Sequence, residues 1–332
     1  MQNRFEEFKF TVFIFILLFV SFGFQSIGYS QNTKPVENNQ SESQDDIIRV
    51  DTNLITVPVS VLDRDGRYVT NLKKEDFQIF EDNIEQEVSF FEPVEQPFTV
   101  FLLLDRSGSM SKSMAQLTQA ANAFVSQLRP EDRVIAATFG DNVDVLFKAT
   151  KAKDLKRGFK LRQNRNDRYT MLFDAVDYAL EKLKKVPGRK AIIVFSDGFG
   201  GGTFSSAKDN LREAEEGEAL IYTVQFDTLA LTLPSYVSKK TYSKSIEAAN
   251  NYMRALPKIT GGRDYQIEDI GDLEKTFRSI AEELGQQYSL GYYPKQPEAG
   301  QKRQVRKIKV KVNQPNLAVK ARASYIVEPL KK

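Results

Sequence analysis

Residues 101–110 read Phe101-Leu-Leu-Leu-Asp105-Arg-Ser107-Gly-Ser109-Met110, FLLLDRSGSM. The aliphatic run has no apolar–polar alternation, as expected of a strand buried on both faces. It stops abruptly at one carboxylate and two hydroxyls, set at alternate positions. Ser and Asp also suit strand ends and helix N-caps without any ligand. The stretch therefore raises a question that the surrounding chain must answer.

Around it, from about Phe98 to Gln287, short apolar runs alternate with helical patterns. The runs are Val100–Leu104, Val134–Phe139, Ala191–Phe195 and Leu220–Phe226. Met114, Leu117, Ala121, Phe124 and Leu128 share one helical face, stopped by Pro130. Leu172, Val176, Leu180 and Leu183 share another, stopped by Pro187-Gly188. Leu273, Phe277, Ile280 and Leu284 form a third, capped by Asp272 and ended by Gly285. Doubly buried strands alternating with helices predict an α/β fold with a doubly wound, mostly parallel sheet. The segment Asp227 to Ser245 reads as a surface insertion, and the acidic run Glu213 to Glu218 as a solvated helix end.

The flanks have a period of two. Ile55, Val57, Val59 and Val61 fall on one strand face, and Pro58 argues for an edge position. Asp63-Arg-Asp-Gly66 and Glu81-Asp-Asn83 read as turns. Asp63 and Asp65 hint at calcium, but no third acidic position or distal Glu completes that pattern. After Gln287, Tyr288, Leu290 and Tyr292 alternate, then Ile308, Val310 and Val312 between Lys307, Lys309 and Lys311. Val319, Ala321, Ala323, Tyr325 and Val327 follow a turn at Asn313–Asn316. Neither flank has enough strands alone, so the two are expected to pair into one smaller, all-β, sandwich-like domain with the α/β domain inserted between them. The expected organisation is an export segment at 1–30, a linker at 31–47, β-domain parts at 48–96 and 288–328, and the α/β domain at 97–287.

Composition narrows the chemistry. The chain has 332 residues, no Cys and no His, and a net charge of +3. Thiolate nucleophiles, Ser-His-Asp triads and zinc-thiolate sites are excluded. Any metal must be held by oxygen, which selects hard cations: Mg2+, or Mn2+ or Ca2+. The charge is too small to argue for nucleic acid as a partner. Arg4 and Lys9 precede an apolar run from Phe10 to Phe24, and Gly28-Tyr29-Ser30 supplies small residues for cleavage. The chain is therefore expected to be exported, to the periplasm or the medium. The alternative is an uncleaved signal anchor, the one route to membrane contact, which would leave the other domains outside the cytoplasm.

Two further features join the opening stretch. Ala191-Ile-Ile-Val-Phe-Ser-Asp197 ends another buried strand in a carboxylate, and Thr170 lies in the loop that opens a helix. With these, the middle region resembles a von Willebrand factor A (VWA) domain, the module also found as the integrin I domain. The family's metal-ion-dependent adhesion site (MIDAS) is D-x-S-x-S, then a loop Thr, then a later Asp. Residue by residue, the resemblance implies Asp105, Ser107, Ser109, Thr170 and Asp197 as metal ligands. The flanks resemble an exported bacterial family called VWFA-related, through Arg64-Asp-Gly-Arg-Tyr-Val69 and Leu290-Gly-Tyr-Tyr-Pro294.

The implied function is metal-dependent protein binding. A divalent cation with two carboxylates and neutral hydroxyls keeps a coordination position for an Asp or Glu of a partner protein. The alternative is a structural or assembly protein of the cell envelope whose metal only braces loops. No positioned base or second metal site argues for an enzyme. Ordinary carboxylates predict cation binding that is flat from about pH 6 to 8 and fails near about pH 4. Gly198-Phe-Gly-Gly-Gly202 lacks the pattern of a phosphate cradle and reads as a mobile loop beside the site.

Overall fold

The computed structural model describes residues 54–164, 166–226, 239–295 and 304–327. The expected export segment and linker lie outside the described residues, as does 227–238 of the expected insertion. Residues 239–245 begin a helix instead.

The period-two stretches become strands. The first are β1 (Ile55–Leu62), β2 (Phe77–Glu81), β3 (Ile84–Gln86) and β4 (Phe90–Glu92). Asp82 and Asn83 adopt φ of 48° and 69°, which suits the tight turn between β2 and β3. At Asp63–Gly66 the Asp63 carboxylate accepts the N–H groups of Asp65 and Arg67, each at 2.9 Å, so it serves the turn.

The central unit runs β5 (Phe98–Asp105), α1 (Met114–Gln127), β6 (Arg133–Phe139), β7 (Val143–Lys151), α2 (Leu172–Lys184) and β8 (Arg189–Ser196). It continues with α3 (Ala207–Glu216), β9 (Leu220–Phe226), α4 (Lys239–Thr260), β10 (Asp264–Ile267) and α5 (Leu273–Gly285). The chain closes with β11 (Tyr288–Tyr292), β12 (Gln304–Val312), β13 (Ala318–Ala321) and β14 (Ser324–Val327).

The central sheet has the order β10-β9-β8-β5-β6-β7, parallel except for the edge strand β7. Every residue of β5 is buried, and the strand splits its side chains between two cores. Val100, Leu102 and Leu104 face α1 and α5, while Phe101 and Leu103 face α2 and α4. Burying each such side chain contributes roughly 1.5–3 kcal/mol before entropy is counted.

The flanks form two four-stranded antiparallel sheets, β13-β1-β11-β4 and β14-β12-β2-β3. Each sheet takes strands from both ends of the chain, with Val57 opposite Leu290 and Ile79 opposite Val310. One apolar cluster, including Val57, Val59, Ile79, Tyr288, Leu290 and Val310, joins them. Pro58 corrects one expectation, because β1 is an interior strand. The ladder to β13 spans only Val59–Leu62, so β11 alone flanks Pro58 and a missing N–H is tolerated there.

A buried polar centre fixes the pairing. Glu81 accepts hydrogen bonds from Tyr292 at 2.8 Å, from Tyr325, and from Arg306 at 2.6 Å. Where the chain passes between flank and central unit, two arginines bind backbone carbonyls. Arg129 donates to Val94 and Gly285, and Arg189 to Val94, Gln96 and Leu284. Both thus tie the segment before β5 to the carboxyl end of α5.

Two outcomes follow from the shared sheets. Truncation after residue 286 removes both ladder partners of β1 and leaves β2 only β3, so hydrogen exchange should show the β1 amides unprotected; retained protection there would contradict the pairing. Glu81→Ala leaves a guanidinium and two phenols without their acceptor and should cost about 3–5 kcal/mol in denaturant unfolding.

Candidate metal centre

Asp105 ends β5, and Asp197 follows the last residue of β8. These strands are neighbours, with Leu104 opposite Phe195. From β5 the chain crosses through α1 to β6 on one side, and β8 lies on the other. Strand order therefore reverses between β5 and β8, which opens a crevice at their carboxyl ends. Both carboxylates stand at that crevice.

The side chains there are linked. Ser109 Oγ donates to Asp197 Oδ2 at 2.7 Å, and Ser107 Oγ lies 3.0 Å from Ser109 Oγ. Asp105 Oδ1 accepts the Ser107 N–H at 2.8 Å, and its Oδ2 accepts from Ser196 Oγ at 2.6 Å. Asp105, Ser107 and Asp197 are buried, while Ser109 is half-buried. The fifth expected residue, Thr170, is half-buried in the loop before α2. Its carbonyl accepts the Gly201 N–H at 2.9 Å, so backbone bonding ties its loop to the one after Asp197.

Burial is the main force on Asp105 and nearby Asp197 adds repulsion; together they push its carboxyl up to about 7. Hydrogen bonds from Ser196 and Ser107 oppose the shift without cancelling it. Arg106, next in sequence, does not supply the counter-charge. Its guanidinium turns to Asp167 at 2.8 Å and to Asp144. Among the described residues no group of three or more His, Cys, Asp or Glu is placed to hold an ion. A cation at this crevice must therefore draw on hydroxyls as well as the two carboxylates, and hard cations accept that donor set.

Several residues that shape the site escape a reading of motifs. Ser196 orients Asp105, and a hydroxyl closing a buried strand was its signal. Arg106 anchors the Thr170 loop through Asp167; a buried Arg beside a carboxylate motif demands acidic partners. Asp141 accepts the N–H groups of Arg168 at 2.9 Å and Tyr169 at 2.5 Å. Asp174 accepts those of Thr203, Phe204 and Ser205, between 2.8 and 3.0 Å.

The neighbouring glycine-rich loop is tied to α2 as well, the Phe173 N–H donating to the Gly201 carbonyl at 2.9 Å. A Cβ on Gly200 would come within 2.6 Å of the Thr170 carbonyl, so close packing accounts for that glycine. Gly108, between the two serines, lies outside the left-handed region, and a Cβ there would meet nothing within 4 Å, so neither conformation nor space demands glycine there.

Residues 100–199 match the family model of the von Willebrand factor type A domain, a span that includes all five expected ligands. No curated protein matches the chain. Among solved structures, an ArnB paralog from Sulfolobus acidocaldarius is 16% identical, with 82% of this chain and 76% of that one covered and a TM-score of 0.42. A von Willebrand factor type A structure from Catenulispora acidiphila is 10% identical, with 85% and 75% covered and a TM-score of 0.41. An aerotolerance-related membrane protein from Bacteroides fragilis is 12% identical, with 56% and 98% covered and a TM-score of 0.40. At these values the likeness says nothing of partners or activity.

The raised Asp105 carboxyl sets a pH dependence. Unfolded, an Asp releases its proton near about 4; folded and without a divalent cation, Asp105 holds it up to about 7. Between those values the native state binds more protons, so its stability falls as pH rises. In EDTA the contribution should be complete below about pH 4 and lost by about pH 7. Subtracting the Tm profile of Asp105→Asn from that of the wild type isolates it. Parallel profiles would contradict the burial argument.

Proposed function

We propose that this protein is an exported, metal-dependent protein-binding module. Asp105, Ser107, Ser109, Thr170 and Asp197 hold a divalent cation, Mg2+ foremost, with Mn2+ or Ca2+ as alternatives. The supporting observation is the pair of buried carboxylates at the crevice, with Arg106 turned away to other acids. When bound, the cation supplies an electrophilic position for an Asp or Glu of a partner protein. The protein's own residues set that position: Ser196 orients Asp105, the serines bridge towards Asp197, and Arg106 and Asp141 hold the Thr170 loop.

Export rests on the apolar N-terminal stretch of the sequence. No helix among the described residues is long and apolar enough to cross a membrane. The competing reading, an envelope assembly protein whose metal braces loops, has less support, because these loops carry braces of their own at Arg106, Asp141 and Asp174.

The site's electrostatics also revise the expected pH response. A proton on Asp105 competes with the cation until about 7. Affinity should therefore rise through the range from about pH 5 to 7, in place of a flat response above about pH 6.

Calorimetry with Mn2+ at about pH 7.5 tests the reading, since cation binding requires deprotonated carboxylates. The wild type should bind one equivalent, and Asp105→Ala none while keeping its circular dichroism spectrum. Envelope proteins retained by the wild type in Mg2+ should be lost in EDTA and with Asp105→Ala. Partner retention unchanged by both treatments, with Mn2+ still bound, favours the bracing role.

A further inference from the structure

We propose that the groove between α1 and residues 152–160 is a second protein-docking site, which takes an acidic peptide segment carrying an apolar side chain. It is independent of the cation. Residues 151–160 read Lys-Ala-Lys-Asp-Leu-Lys-Arg-Gly-Phe-Lys, five cations and one acid. Strand β7 ends at Lys151, opposite Arg133 at the start of β6. Asp105 instead lies opposite Phe139, at the far end of β6. The groove and the candidate metal centre thus occupy opposite ends of the central sheet.

The groove is built and held. It encloses about 1110 Å³. Asn122 Nδ2 donates to the Phe159 carbonyl at 2.7 Å, and the Phe159 N–H donates to Asn122 Oδ1 at 2.8 Å. Leu161 N–H reaches Thr118 Oγ1 at 3.3 Å, so two side chains of α1 pin the segment. Gly158 has φ of 69°, and a Cβ there would come within 2.8 Å of Asn122 Oδ1, so the sharp turn requires glycine. The Phe159 ring meets Phe147 edge-on, with centroids 5.1 Å apart.

The lining states the occupant's chemistry. Leu128, Leu155 and Phe159 give it an apolar component. Lys156, Arg157 and Lys160 line the same groove and are exposed. Lys151 and Lys153 both pair with Glu131, at 2.5 and 2.7 Å, whereas no ion pair among the described residues engages the other three cations. Unpaired cations beside an apolar lining match carboxylates flanking an apolar side chain. A planar bilayer would reach the exposed cations but leave the concave interior unfilled, so a peptide suits the shape better than a lipid surface.

The test uses the full chain in EDTA and a fluorescent peptide, Asp-Glu-Asp-Phe-Leu-Glu-Asp-Glu. Binding should appear below about 1 mM, with amide shifts centred on residues 156–160. The double variant Lys156→Glu, Lys160→Glu should weaken it at least about tenfold, as should about 0.5 M NaCl. A peptide with Ser in place of Phe and Leu should also bind at least about tenfold more weakly. No shift at 156–160 up to about 1 mM overturns the proposal, as does unchanged affinity in the double variant. Binding to phosphatidylglycerol vesicles, lost in that variant while the peptide fails to bind, overturns it in favour of a lipid surface.

Discussion

Asp105 and Asp197 are two carboxylates withdrawn from water at the adjoining ends of β5 and β8. Burial, with Asp197 nearby, holds the Asp105 carboxyl well above the usual carboxylate range. The surrounding architecture keeps the two carboxylates there. The continuous apolar run of β5 buries Asp105, the reversal of strand order opens the crevice, and the Asp105–Ser196 bond joins the two strand ends. Arg106 could have neutralised the pair but is committed to Asp144 and Asp167. A site that buries two carboxylates and directs its neighbouring cation elsewhere is suited to an external counter-ion.

Among the described residues, side-chain links between the flanking sheets and the central unit gather at the other end of the central sheet. The flanking antiparallel sheets join the central unit at Val94–Phe98 and Leu284–Tyr288, at the amino end of β5. Arg129 and Arg189 gather the carbonyls of both passages, and burial, with Arg129 nearby, pushes Arg189 down to about 10. Lys320 of β13 reaches Glu283 of α5 at 2.6 Å, a further link between the flanking sheets and the central unit.

Much of this was legible in the residues. The four central strands and three of the helices announced themselves because their apolar positions are continuous or evenly spaced. The sharing of sheets by both flanks followed from each having too few strands. Other elements hid for physical reasons. Helix α3 carries only a thin apolar stripe, Ala207, Leu211 and Ala214, of which Ala214 alone is fully buried, so its acidic end dominated the pattern. Edge strand β7 has no fully buried residue, and its bulges break the period. Pro58 suggested an edge because the short length of β13 is not visible locally. At the site, residue types and order identified the five candidate ligands. The bonds that position them, from Ser196, Arg106, Asp141 and Asp174, depend on contacts between residues far apart in sequence.

The central claim is that the crevice between β5 and β8 binds a divalent cation through side-chain oxygens. Anomalous diffraction from crystals soaked in manganese chloride addresses it most directly. The account predicts one strong peak within coordination distance of Asp105, Ser107 and Ser109. Ordinary solvent density there, at a pH where Asp105 is ionised, would contradict it.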